Sequence, residues 1–133
     1  MAMRSVLAFS LGAVVYLLAG GNASATTLDE LLRSCEAVVN AAGATAGDTI
    51  DIPPAGLRCW YYMSAIQNMS VVVDQGGERL LDVCAPPDTT LMDYVRIFVR
   101  YAHRNLKGLQ GNAAAFAITR LSEAFPCDRK RAP

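Results

Sequence analysis

The four cysteines, Cys35, Cys59, Cys84 and Cys127, constrain this 133-residue chain more than any other feature. They are even in number, well spread, and never at the close C-x-x-C spacing that a zinc site asks for. Whether they become disulfides depends on the compartment, and the first 25 residues bear on that. "MAMR" is a short basic start, and "SVLAFSLGAVVYLLA" is an apolar run too short for a stable membrane span. Ala23-Ser24-Ala25 is the small-x-small pattern of a cleavage site, so residues 1–25 read as a secretory signal peptide cut after Ala25. Gly21 stands where a lipoprotein signal would carry its lipidated cysteine, and the expectation is a released, soluble protein without a membrane anchor.

The remaining chain, from Thr26, is one small domain whose core alone gives a modest stability margin. All four cysteines fall inside it, which in an exported chain reads as two structural disulfides.

Apolar periodicity predicts four helices and no strand. In "TTLDELLRSCEAVVNAA", Leu28, Leu31, Leu32, Cys35, Val38, Val39 and Ala42 form one buried stripe behind a Thr27/Glu30 capping box. A glycine- and proline-rich loop follows. The run "LRCWYYMSAIQNMSVVVD" then places Cys59, Tyr62, Met63, Ile66, Met69 and Val73 on one face of a second helix, with the period favoured over the strand preference of Val71–Val73. "QGGERLLDVCAPPD" reads as a linker. Asp88, Thr89 or Thr90 can cap "LMDYVRIFVRYAHRN", with Leu91, Val95, Phe98 and Ala102 inward and Tyr94 and Tyr101 flanking. Asn112 can cap a fourth helix with Ala113, Phe116, Ala117, Leu121 and Ala124 inward. The expected architecture is an all-α four-helix bundle over residues 26–128, with a basic tail at 129–133.

Four cysteines permit three pairings, and helix topology weights them. The turn between the third and fourth helices is short, so they pack antiparallel, bringing Cys84 at the start of one near Cys127 at the end of the other. Likewise Cys35, late in the first helix, can face Cys59 in the first turn of the second. The crossed pairing of Cys35 with Cys127 and Cys59 with Cys84 stays open. It requires the linker to fold back along a second helix of roughly 20 Å.

No residue pattern points to catalysis. His103 is the sole histidine, and with all thiols assigned to disulfides it has no nucleophile to activate. A last-turn role beside the helix's negative end suits it better. No G-x-S-x-G or phosphate loop occurs, so neither an enzyme nor a cofactor is expected. Trp60, Tyr61 and Tyr62 span some 200° of helix, so they cannot all face one core. Trp60 or Tyr61 is therefore a candidate for a partner surface.

Charge is more informative. From Thr26 to Asp93 the chain holds ten acidic and three basic residues, whereas Tyr94 to Pro133 holds two acidic and eight basic. Arg96, Arg100 and Arg104 stand at i, i+4, i+8 on one helical face with Lys107 beyond. Like-charge neighbours repel unless compensated. Either acidic side chains of the same chain match the stripe, or it is an electrostatic patch for another subunit or an acidic protein. Near-neutral overall charge and export argue against nucleic acid.

The cysteine in the first helix, "CWYYMSAI" opening the second, "CAPPDTTLMDYVRIFVRYAH" through the third and "AAAFAITRLSEAFPC" at the close together resemble the Rap/Tai-type immunity proteins. The resemblance covers nearly all of the chain after the leader. It implies a periplasmic, homodimeric helical protein without catalysis, which neutralises a peptidoglycan amidase effector of type VI secretion by occluding its active-site groove. The contacting parts are then expected in exposed segments: "DQGGERLLD" with Asp74, Glu78, Arg79 and Asp82, and the face carrying Arg96, Arg100 and Arg104. Two other readings fit the same framework, a periplasmic acid-stress chaperone and a structural or adaptor relative without a toxin partner.

Overall fold

A computed structural model describes residues 25–44, 50–108 and 110–128. The expected leader, apart from Ala25, and the basic tail 129–133 lie outside the described residues. Four α-helices appear in the expected order: α1 (Leu28–Ala44), α2 (Leu57–Ser70), α3 (Leu91–Arg104) and α4 (Ala113–Ala124). Among the described residues there is no strand, only two isolated bridges, Thr27 with Asn112 and Val73 with Arg79.

The start of α1 is a reciprocal capping box. The Thr27 amide donates to Glu30 Oε2 at 3.0 Å and the Glu30 amide donates to Thr27 Oγ1 at 3.3 Å. Its buried stripe, Leu28, Leu31, Leu32, Cys35 and Val38, follows the helical period, with Val39 and Ala42 at the margin. Ser34 is also buried, and its hydroxyl joins two elements by donating to Ala55 O at 2.7 Å and accepting the Cys59 amide at 3.0 Å. That bond satisfies an amide in the first turn of α2, where the preceding 3-10 turn (Pro54–Gly56) supplies no side-chain cap. Gly56 is required there, because a Cβ would stand 2.7 Å from Val38 Cγ2. The Cys35–Cys59 disulfide closes beside these bonds with both residues fully buried.

Two expectations for α2 need correction. The helix stops at Ser70, not near Asp74, and Met69 and Val73, expected inward, are 44% and 54% exposed. The β-branched run Val71–Val73 leaves the helix and turns back as a tight hairpin. The Leu80 amide donates to Val72 O at 3.0 Å and the Asp74 amide to Glu78 O at 2.8 Å, around Gly77 at φ 80°. The Asp74 carboxylate accepts the amides of Gly76 and Glu78, and the Arg79 guanidinium donates to Ser70 O at 2.7 Å, occupying a carbonyl that the helix end leaves free. The segment expected as an open linker thus has internal order, and its Val83 is fully buried.

Of the three candidate caps for α3, Thr90 serves, in a capping box with Asp93. Tyr94, expected to flank, is buried: its hydroxyl lies 3.4 Å from Ser70 Oγ and its ring 5.6 Å from Phe125. Val95, Phe98 and Ala102 fill the centre, and Phe98 meets Phe116 of α4 edge to face at 5.9 Å. Asn112 caps α4 through the Ala115 amide at 3.0 Å, and Ala113, Ala117 and Leu121 are buried while Phe116 and Ala124 lie half-buried.

Two ties close the bundle. At one end the Leu28 amide donates to Gly111 O and the Ala113 amide to Thr26 O, clasping the starts of α1 and α4. At the other, the Cys84 amide donates to Phe125 O at 2.8 Å and Cys84 is bonded to Cys127. The disulfide pairing is the one favoured from topology, and such bonds belong to chains that fold outside a reducing compartment. No helix among the described residues is long and apolar enough to cross a membrane.

Candidate interaction surface

All four cysteines are bridged, leaving no free thiol, and among the described residues no group of His, Cys, Asp and Glu could hold a metal ion. His103 sits in the last turn of α3 as expected, with Nε2 3.0 Å from Glu36 Oε1 of α1. It is a surface link between helices, worth about 0–1 kcal/mol when charged.

The polar features of the surface form two groups. On α3, the inward face is filled by Val95, Phe98 and Ala102, so the 3.6-residue period turns Arg96, Arg100 and Arg104 outward, where all three are exposed. The Thr90 hydroxyl and then its amide hold the Asp93 carboxyl below the usual carboxylate range, and the charge of Arg96 contributes in the same sense. That is the only compensation on the stripe: among the described residues, Arg100 and Arg104 have no ion-pair partner, and neither does Lys107. Among the described residues, the carboxylates of the acidic half therefore form no ion pair with Arg100 or Arg104. Arg96 and Arg100 line a groove together with Asp88, Asp93, Pro86, Ile97 and Phe125.

The second group is the hairpin. Glu78, Arg79 and Asp82 line one groove with Cys84, Pro126, Cys127 and Asp128, so the second disulfide braces the hairpin's base against the end of the chain. The four residues singled out in sequence differ in what they do. Asp74 and Arg79 hold the hairpin's own backbone, whereas the Glu78 side chain makes no hydrogen bond or ion pair among the described residues. The hairpin and the α3 stripe belong to separate grooves.

Of the aromatic candidates, Tyr61 is 68% exposed and Trp60 is half-buried against the core. Sequence reasoning missed that Tyr61 has apolar company: Leu57 and Met69 are 40% and 44% exposed on the same helix side, with Ala65 exposed between them. The signal was present as a second i, i+4 series running opposite Cys59, Met63 and Ile66.

No curated protein and no solved structure matches the chain. The model of the Rap1a immunity proteins matches residues 27–127, which includes every helix and all four cysteines. An all-α chain stapled by two disulfides, with no free thiol, carrying an exposed cationic helix face and spanned by that model from α1 to Cys127, belongs to the Rap1a immunity protein family.

Proposed function

We propose that this protein is a non-enzymatic periplasmic inhibitor, exported with cleavage after Ala25, which acts as a homodimer. It binds a peptidoglycan amidase effector of type VI secretion and occludes its active site. Family membership supports a protein partner. The observation that carries the choice of surface is the stripe Arg96, Arg100 and Arg104, exposed on one helix face, with none of the three in an ion pair among the described residues. Three cations at i, i+4 spacing repel one another by a few tenths of a kcal/mol per pair, and an acidic partner surface reverses that sign. The hairpin residues Asp74, Glu78, Arg79 and Asp82 supply a second partner-binding surface.

The test is calorimetric titration of the purified protein into a type VI peptidoglycan amidase encoded beside its gene, with muropeptide release as the activity readout. The expected result is tight binding with loss of hydrolysis, and binding at least about 100-fold weaker for the triple variant Arg96→Glu/Arg100→Glu/Arg104→Glu at an unchanged melting temperature. Full inhibition by that variant would remove the stripe from the interface. Unimpeded hydrolysis in the presence of the unmodified protein would overturn the amidase reading itself.

A further inference from the structure

Charged side chains of both signs share the groove beside the start of α3, yet they close no ion pair with one another. Asp88 and Asp93 belong to its N-terminal side, and Arg96 and Arg100 follow one and two turns further along the helix. The capping box explains why the nearest pair stays open. Asp93 Oδ2 accepts the Thr90 amide at 2.9 Å and the Thr90 hydroxyl at 2.7 Å, which turns the carboxylate back toward the N-cap, although the charge of Arg96 still acts on it. Asp88 and Arg100 are exposed and make no hydrogen bond or ion pair among the described residues. The groove also has an apolar side, in half-buried Ile97 and Phe125. Phe125 is fixed in place, because its ring packs 5.6 Å from that of Tyr94 and its carbonyl accepts the Cys84 amide.

We infer that this groove binds a short peptide with both ends free: the α-ammonium at Asp88 and Asp93, the α-carboxylate at Arg100 beside Arg96, and an apolar side chain against Ile97 and Phe125. The site goes beyond the proposed function and does not depend on it. Its first support is the mixture of signs. A simple anion entering the groove meets two carboxylates, and a simple cation meets two guanidiniums, so only a ligand with both charges, held apart, gains at both ends. A guanidinium also fits a carboxylate in a paired, charge-assisted geometry.

The second support is length. Asp93 and Arg100 are seven residues apart, about 10 Å along the axis at 1.5 Å per residue. An extended peptide covers about 3.3–3.6 Å per residue, so three residues span that distance. Helical side chains lean toward the N-terminus, which draws the guanidinium of Arg100 back and brings two residues within reach as well. The groove holds about 380 Å³, at the small end of the ~300–1,000 Å³ of ligand sites, which suits two or three small residues and not a long peptide. A peptide seated there occupies Arg96 and Arg100, so it competes with any protein that docks on the same helix face.

The experiment is a heteronuclear NMR titration of the oxidised, processed protein with the tripeptide Ala-Leu-Ala, from about 0.1 to 20 mM. At about pH 6.5 the peptide's amino group is protonated and all the carboxylates are ionised. The expected result is saturable shifts of the Ile97, Arg100 and Phe125 amides, with the N-acetylated and the C-amidated peptides each binding about fivefold more weakly. Arg100→Gln should weaken the free peptide about fivefold and leave the amidated one unchanged, and Asp88→Asn should do the same for the free and acetylated pair. Both side chains are exposed, so the variants keep their melting temperature, which circular dichroism verifies. Absence of saturable shifts, equal binding of the free and blocked peptides, or variants that weaken free and blocked forms alike overturns the inference. Inhibition of an amidase by a protein that binds no peptide would leave the proposed function standing, and peptide binding by a protein that inhibits no amidase would do the reverse.

Discussion

The two disulfides close loops of different length in different surroundings, and removing each in turn separates two physical contributions. Cys35–Cys59 spans 24 positions and Cys84–Cys127 spans 43. Loop-closure entropy alone gives about 3.5 kcal/mol for the shorter loop and about 4 kcal/mol for the longer. Burial acts in the opposite order. Cys35 and Cys59 are completely buried, so replacing both with alanine also leaves a cavity where two sulfur atoms packed, costing a further ~1–2 kcal/mol, whereas Cys84 and Cys127 are half-buried and neighbours or water can fill the space. The expected losses are therefore about 5 kcal/mol for Cys35→Ala/Cys59→Ala and about 4 kcal/mol for Cys84→Ala/Cys127→Ala, against a total of about 5–15 kcal/mol for a domain. Equilibrium urea unfolding measures both, with a midpoint shift of about 2 M or more and a steeper slope, because the unlooped unfolded chain exposes more surface. Partial reduction followed by alkylation and mass spectrometry is the second readout, and Cys84–Cys127 should open first under native conditions. If the Cys84/Cys127 variant loses more stability than the Cys35/Cys59 variant, loop length outweighs burial and the reasoning fails. A loss below about 1 kcal/mol for either would show that the bridge does not constrain the unfolded chain.

Thr90→Ala removes the N-cap of α3 and should cost about 1 kcal/mol, read as a lowered melting temperature. The Asp93 carboxyl is held below its ordinary range by hydrogen bonds from Thr90, so its stabilising effect is full above the unfolded value of about 4 and is lost as pH falls through the depressed folded value. The stability difference between the unmodified protein and Asp93→Ala, measured by urea unfolding, should therefore be constant near neutrality and shrink below about pH 4. Gly77→Ala places a side chain at φ 80° and should cost about 1 kcal/mol, with Gly77→Asn costing less. Gly56→Ala drives a methyl group against Val38 Cγ2 and should cost about 1–3 kcal/mol, relieved in part by Val38→Ala in a double-mutant cycle.

Those features that depend on a few neighbouring residues were legible in the sequence. The Thr27/Glu30 box, the Asn112 cap, the inward face of α1 and Val95, Phe98 and Ala102 of α3 each follow from residues within one or two turns, whereas Met92 is buried in place of the expected Leu91. The disulfide pairing was legible for a related reason, since short connections make sequential helices neighbours. What was hidden depends on distant partners. The end of α2 at Ser70 is held by Arg79, nine residues on, reaching back to a carbonyl, and no local pattern shows that reach. Tyr94 carries a hydroxyl and sits between two inward positions, so it read as a flank, yet Ser70 provides the polar contact that lets it be buried. The charges of the candidate surface were visible, but their pairing was not. Arg79 and Arg100 look alike in sequence, and only the fold shows one bonded to the backbone and the other without an ion-pair partner among the described residues.

Both bridges join cysteines that are consecutive along the chain, the first to the second and the third to the fourth. For a chain threaded through a membrane from its N-terminus, Cys35 and Cys59 emerge together before Cys84 and Cys127 appear. An oxidant that joins thiols in order of arrival then makes the native bonds directly. Crossed bridges need reshuffling by thiol–disulfide exchange, which takes minutes to hours without an isomerase. The uncrossed arrangement removes that kinetic hazard, so the scaffold can mature as fast as it is delivered.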